Sequence, residues 1–326
     1  MIMSKTTETF KYYFGIYRHM NLTKPMVRVF RIVCHENDTL QSIAKEAKKS
    51  LGWTSDILSQ LIKAQFVTAE LAASRPGSRK IFGVADTAYA IKLKQLMYAK
   101  PYIDFSEIIT GSKLRVLMAI LYDWKDYKTI SKMLKASDHA VRQTVPKLKN
   151  RGIISKKGRL LKFNDVAWNH LFEFLKELRN FSGLNGFLLW QFEKEAIYTV
   201  DDIKLAKGTL TGFNRYKDFG IRVATVTGCC HLPEKKISKE EIFIHSLLQV
   251  DDPRLLHLAL AFYVKHNLNT NKVKNLAMYY DCFSRYEELK TLPLLEEEYK
   301  KLEYFHTEFD RKDFRRIAHM YGVKNV

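Results

Sequence analysis

Arg142 and Gln143, with Lys147 and Lys149 after them and then Lys156-Lys157-Gly158-Arg159, form the run of side chains best equipped for recognition chemistry. A guanidinium offers paired N–H donors that match the major-groove edge of guanine, and a carboxamide matches adenine. Cations on a turn suit phosphate oxygens, which give affinity but no base identity. Bond-making chemistry is thinly represented. His231, His245, His257 and His266 share one half of the chain, but no HExxH occurs, and His245 and His257 stand 12 residues apart on different expected helices. Cys34, Cys229, Cys230 and Cys282 form no CxxC, so neither a zinc site nor a disulfide framework is expected. The absence of GxGxxG, GxSxG and a P-loop leaves dinucleotide binding, hydrolysis and NTP hydrolysis without support. No cofactor and no metal is expected.

The charge points the same way. The 326 residues carry 54 Lys+Arg and 35 Asp+Glu, a net +19. Residues 1–180 hold 32 basic and 15 acidic side chains, while 181–326 hold 22 and 20. The excess peaks at 112–163, with 14 basic against 3 acidic residues. A basic field confined to one part of a chain fits a polyanion, most often a nucleic acid. A hydrophobic content of 46% excludes a wholly disordered basic chain. No apolar run approaches the length of a membrane span, and 1–10 lacks the order of a signal peptide. The expectation is a cytoplasmic protein with no membrane partner.

These residues need elements to hold them. Residues 1–24 form an aromatic and basic arm or docking helix, with Phe10, Lys11, Tyr12, Tyr13, Phe14, Tyr17 and Arg18. Pro25 opens a helix that stops near 36–38. Asp38 or Thr39 caps a second helix over 40–48. Gly52 sits in a turn, and Thr54 starts a third helix with Ile57, Leu58, Leu61 and Ile62 inward. A hairpin follows, with 75–80 as its basic tip, and then a helix over about 86–98. The order then returns: helices over 112–123 and 129–135, a third from Ser137 or Asp138 to about 150 closed by Gly152, a hairpin tipped by 156–159, and a helix from Asn164 or Asp165 to Arg179.

Helix, helix, helix, hairpin, helix thus occurs twice in 180 residues, and the chain resembles a tandem pair of winged helix-turn-helix domains, at 25–100 and 101–180. The segment TISKMLKASDHAVRQTVPKLKNRGIISKKGRLLKF carries the resemblance best, because Leu148-Lys-Asn-Arg-Gly152-Ile153 matches the family's exit from its third helix. Pro146 departs from the pattern, since proline inside a helix removes a hydrogen bond. The resemblance implies that the third helix of each domain enters the major groove while the hairpin follows the backbone. The DNA-facing residues would be Thr54, Ser55, Ser59, Gln60 and Lys63 in the first domain. In the second they would be His139, Arg142, Gln143, Lys147 and Lys149. Arg75, Arg79, Lys80, Lys156, Lys157 and Arg159 would line the two wings. RNA is the rival nucleic acid, with Tyr12, Tyr13 and Tyr17 as stacking candidates.

The nearly neutral stretch 181–326 reads as mostly helical, with a strand over 220–226 and helices over 294–305 and 310–321 at its end. Ser238 and Glu241 form a capping box, Pro253 stands behind Asp251 or Asp252, and Asn269 or Thr270 caps a further helix. FSGLNGFLLW and TVDDIKLA resemble the Gly-rich helix start and the carboxylate-bearing strand of the minimal nucleotidyltransferase-like domain of AbiE-type antitoxins and related archaeal winged-helix proteins. Metal-assisted nucleotidyl transfer needs converging carboxylates, but Asp202-Ile203-Lys204 puts lysine in the second position, and Asp201 alternates to the other face of the strand. The domain therefore reads as a non-catalytic scaffold for a protein partner or homodimer.

The fold expected is mostly α with small β-hairpins (α+β): tandem winged helices, then a small α/β, largely helical domain. The function expected is a regulator of transcription that binds double-stranded DNA, an antitoxin-like repressor by the resemblance. A nucleotidyltransferase-type enzyme and a sequence-nonspecific chromatin or replication-associated protein are the alternatives.

Overall fold

A computed structural model of the chain describes residues 22–35, 39–71, 80–179, 186–193, 195–295 and 297–323. The aromatic stretch at 1–21 lies outside the described residues. The contacts divide the chain into two compact units, Met1–Asn180 and Phe181–Val326. The architecture is a mix of helices and small antiparallel sheets.

In the first unit, Thr23 accepts from the Met26 N–H and Pro25 occupies the first turn of α1 (Lys24–Cys34). Thr39 and Ser42 form a capping box at the start of α2 (Leu40–Ala47). Ser50 accepts from the Trp53 N–H, 3.2 Å away, to open α3 (Leu51–Lys63). The strands β1 (Val67–Leu71) and β2 (Lys80–Val84) pair antiparallel from Val67↔Val84 to Leu71↔Lys80, and α4 (Ala88–Ala99) follows.

The second repeat runs α5 (Gly111–Ala119), β3 (Lys125–Asp126), α6 (Tyr127–Leu134), α7 (Asp138–Lys149), β4 (Ile154–Lys157), β5 (Leu160–Phe163) and α8 (Asn169–Arg179). Its sheet has the order β3-β5-β4. Asp126 caps α6 through the Thr129 N–H at 2.7 Å, and Ser137 caps α7 through the Ala140 N–H at 3.2 Å. Helices α4 and α8, which close the two repeats, pack against each other.

The repeats share their turns. Lys48 and Lys135 both take left-handed backbone, at φ 53° and 50°, and each is followed by one residue and then the capping serine of the next helix. The third helices also leave alike. The Phe66 N–H donates to the Leu61 carbonyl and the Ile153 N–H to the Leu148 carbonyl, after a left-handed Gln65 (φ 55°) or Gly152 (φ 69°). This is the six-to-one closure of a Schellman end.

In the second unit, β6 (Phe187–Phe192), β7 (Glu195–Val200), β8 (Thr209–Leu210) and β9 (Gly228–Leu232) form an antiparallel sheet of order β6-β7-β9-β8. A 3-10 segment, Gly212–Phe219, packs on β9 and on the first of four helices, α9 (Lys239–Leu247), α10 (Pro253–Lys265), α11 (Thr270–Tyr279) and α12 (Phe283–Thr291). Tyr216 stacks on Phe262 with ring centroids 4.3 Å apart, and its hydroxyl meets the Ser246 hydroxyl at 2.6 Å. A hairpin, β10 (Tyr299–Lys301) and β11 (Glu308–Asp310), leads into α13 (Arg311–Met320).

Several expectations are corrected. Gly52 lies inside α3, because Ser50 starts that helix three residues earlier than expected. Helix α5 ends at Ala119 rather than 123. FSGLNGFLLW supplies no helix start among its described residues: Phe187–Phe192 is strand β6. Residues 220–226 are not a strand, since Gly220 closes the 3-10 segment at φ 73° and the position between β7 and β8 is filled by Gly228–Leu232. Residues 294–305 form no long helix. Leu302 and Phe305 are buried at helix-like spacing, but the Leu302 N–H donates to the Thr307 carbonyl at 2.8 Å and closes a hairpin.

Candidate nucleic-acid interface

Helix α7 has two faces. Val141, Thr144, Val145 and Leu148 are buried, and the Thr144 hydroxyl donates to the Ala140 carbonyl at 2.9 Å. His139, Arg142, Gln143, Lys147 and Lys149 are all exposed, on the side away from that stripe. The Arg142 guanidinium lies 4.8 Å from the centroid of the Tyr127 ring at the start of α6. Such stacking restrains a long side chain at an exposed site while leaving its N–H fork available. Gln143 Nε2 and His139 Nε2 are 2.8 Å apart, one helical turn from each other.

Pro146 is inside α7 and exposed. Its missing N–H leaves the Arg142 carbonyl without an intrahelical donor. Arg142 and Pro146 are both exposed, and the helix continues past the proline to Lys149.

Beyond the helix, Lys156, Lys157 and Arg159 are exposed around the β4–β5 turn, where Gly158 takes φ 58°. Lys156 pairs with Leu161 and Lys157 with Leu160 across the hairpin. Exposed Lys128 and Lys132 on α6 extend the positive surface. Sequence reasoning passed over these two and also Tyr127. The adjacent Asp126 cap marks Tyr127 as a first-turn residue, but no local signal places its ring under a side chain 15 positions later.

The first repeat is built differently. Thr54 does not face outward: it is fully buried, and its hydroxyl donates to the Ser50 carbonyl at 3.0 Å. Thr54 stands three, four and seven residues before Ile57, Leu58 and Leu61, which places it on the inward stripe of α3. Ser55, Ser59, Gln60 and Lys63 are exposed, as are Asp56 and Ile62. Ser55 and Ser59 line a hollow of about 350 Å³ together with Leu58, Ile62, Lys80 and Phe82. Lys80 is exposed on β2. Arg75 and Arg79 lie outside the described residues. The outward face of α3 is thus close to neutral and partly apolar, where that of α7 is cationic.

In the second unit, Asp201 and Asp202 lie past the end of β7, not on it, and both are exposed. Asp202 accepts from the Lys204 N–H at 2.8 Å and caps a short 3-10 turn, Ile203–Leu205. Among the described residues, no three His, Cys, Asp or Glu side chains are grouped to hold a metal ion. The four cysteines are buried and unbridged, and burial pushes the thiols of Cys34 and Cys282 up to about 12 and that of Cys230 to about 11. Burial raises Cys229 as well. Thiols so far above neutral pH are poor nucleophiles.

The densest polar cluster of this unit is internally compensated. Lys235 Nζ lies 3.3 Å from Glu195 Oε2, 3.0 Å from Glu241 Oε1 and 3.2 Å from the Tyr280 hydroxyl. His231 Nε2 is 3.2 Å from the same Glu195 oxygen. Burial pushes the Tyr280 hydroxyl up, and the nearby carboxylates push it further. The cluster ties β7, the loop after β9, α9 and the end of α11 together.

The arrangement defines a mixed helix-and-sheet protein with a cationic helix-and-hairpin surface. No family model, no curated protein and no solved structure matches the chain. No described helix is long and apolar enough to cross a membrane.

Proposed function

We propose that the two repeats of the first unit are winged helix-turn-helix modules and that the chain is a DNA-binding regulator, antitoxin-like in its manner of repression. The observation that carries this reading is the outward face of α7. It sets Arg142, restrained over Tyr127, beside Gln143 and Lys147, and the chain continues into a hairpin tipped by Lys156, Lys157 and Arg159. Arg142 and Gln143 have the chemistry for base edges, and the hairpin cations have the chemistry for phosphates. The exposed serines, Gln60 and Lys63 of α3 supply weaker contacts to the same duplex. The second unit acts without catalysis, as a scaffold for a protein partner or a homodimer, since its exposed Asp202 spends an oxygen on a cap rather than facing a second carboxylate.

The test is equilibrium binding to random and selected duplexes at several salt concentrations. Changing Lys156, Lys157 and Arg159 to Gln should lower the steepness of log K against log salt by about 2.7, at roughly 0.9 per lost phosphate contact. The absence of binding to any duplex at low salt would refute the reading.

A further inference from the structure

The near-neutral charge of 181–326 conceals a local imbalance. Residues 181–310 hold 17 basic and 19 acidic side chains, while 311–326 hold 5 basic and 1 acidic. Most of that excess is on α13. Phe314 and Ala318 face the core of the unit. Lys312, Arg315, Arg316 and His319 are exposed on the opposite side, at spacings of three, four and seven. Residues so spaced form one stripe along a helix. It is about 10 Å long at 1.5 Å per residue.

The carboxylates beside the stripe are loosely held. Lys312 meets Glu298 at 3.2 Å with the side chains 75% and 71% exposed, and Arg316 meets Asp313 at 3.0 Å with 74% and 54% exposed. Ion pairs this exposed contribute little and exchange readily for a better anion. The surface also extends past the helix. Arg254 shares with Arg316 the wall of an open hollow of about 700 Å³, and the Tyr321 hydroxyl donates to the carbonyl of the exposed Arg222 at 2.6 Å.

We infer that the outward face of α13 is a second phosphate-binding surface, and that its partner is the backbone of a duplex nucleic acid. The stripe's length matches the rise of about three base pairs, so successive phosphates meet successive cations. Met320, at the margin of the stripe, is the exposed large apolar side chain of α13, and Leu258 and Ile317 join it in the hollow beside Arg316. The inference rests on the reading of the chain as duplex-binding, but on different residues in the other unit.

The experiment uses the full chain, wild type and Lys312→Gln/Arg315→Gln/Arg316→Gln, with circular dichroism to show that the fold is kept. Both are titrated with a random-sequence duplex between 50 and 200 mM salt. Three lost contacts lower the slope by about 2.7, so the wild type loses about 40-fold more affinity over that range than the variant. Asp313→Asn, which removes a competing carboxylate, tightens low-salt binding by about threefold. If the wild type binds but the slope is unchanged by the triple variant, this inference is overturned. If the wild type binds no duplex at all, the earlier reading fails as well. A parallel titration with phosphatidylserine vesicles separates a lipid surface: loss of vesicle binding with an unchanged duplex slope overturns the duplex assignment.

Discussion

Replacing Arg142 by alanine removes the side chain with the best geometry for a base edge, and its support on Tyr127 makes the consequence calculable. A bidentate guanidinium–guanine contact discriminates by about 1–3 kcal/mol, or about 5- to 150-fold, against the wrong base. The ring beneath it, 4.8 Å from the guanidinium, contributes by restraint. Cation–π stacking at an exposed site is worth about 0.5–1 kcal/mol, so Tyr127→Leu should weaken the preferred duplex about 2- to 5-fold. Both substitutions act through one side chain, so their effects should not add. In the double variant, Tyr127→Leu should cost almost nothing further. The assay is a double-mutant cycle of equilibrium affinities at one fixed salt concentration, on the selected duplex and on duplexes with single base replacements. Two results would refute the reasoning. One is an equal loss for every duplex, which would make Arg142 a phosphate ligand. The other is full additivity with Tyr127→Leu, which would make the stacking irrelevant to recognition.

Thr54→Ala removes a buried hydroxyl bonded to the Ser50 carbonyl, and should lower stability by about 1 kcal/mol while leaving duplex affinity unchanged. A selective loss of binding in that variant would return Thr54 to the interface. Gln65 holds left-handed backbone at φ 55°, so Gln65→Gly should raise the unfolding free energy measured by urea titration by about 1 kcal/mol, whereas Gly152→Ala at φ 69° should lower it by about 1–2 kcal/mol. The opposite sign at either site would contradict the shared helix exit. His245 is held neutral: burial lowers its pKa well below the ordinary value, with His231 and Lys235 adding to the effect and Glu195 opposing it. The unfolded chain therefore takes up a proton near pH 6.5 that the folded chain refuses. Stability is full above that pH and falls on acidification by about 1.4 kcal/mol per unit until the native pKa is reached. Urea unfolding of the second unit at pH 7.5 and 5.5 measures this, and equal midpoints would refute it.

The signals that read correctly from the sequence act within a turn or two of helix. Ser238 with Glu241, Asn269 before Thr270, Ser137 before Asp138 and Pro25 at a first turn all start helices, because a side-chain oxygen or a proline acts on neighbouring backbone. The cationic face of α7 was legible for the same reason, since Val141, Val145 and Leu148 mark its buried stripe. Gly152 announced one helix exit, but the equivalent exit at Gln65 carries no glycine and gave no local sign. The candidate site was misread in the first repeat, where Thr54 belongs to the buried stripe of Ile57, Leu58 and Leu61 at spacings of three, four and seven.

The order of helices in each repeat, the concentration of positive charge at 112–163 and the cationic outward face of α7 can all be read from the residues in order. Which segments became strands was settled by long-range pairing. Residues 220–226 have strand-like composition but lost the place beside β7 to Gly228–Leu232, while 299–301 pairs with 308–310 although Leu302 and Phe305 between them stand at helix-like spacing. Tertiary structure also put Tyr127 beneath Arg142. The difference is one of range. Caps and apolar periodicity act within a segment and set which side of a helix turns inward, whereas a strand or a stacked ring exists only by what the rest of the chain places beside it.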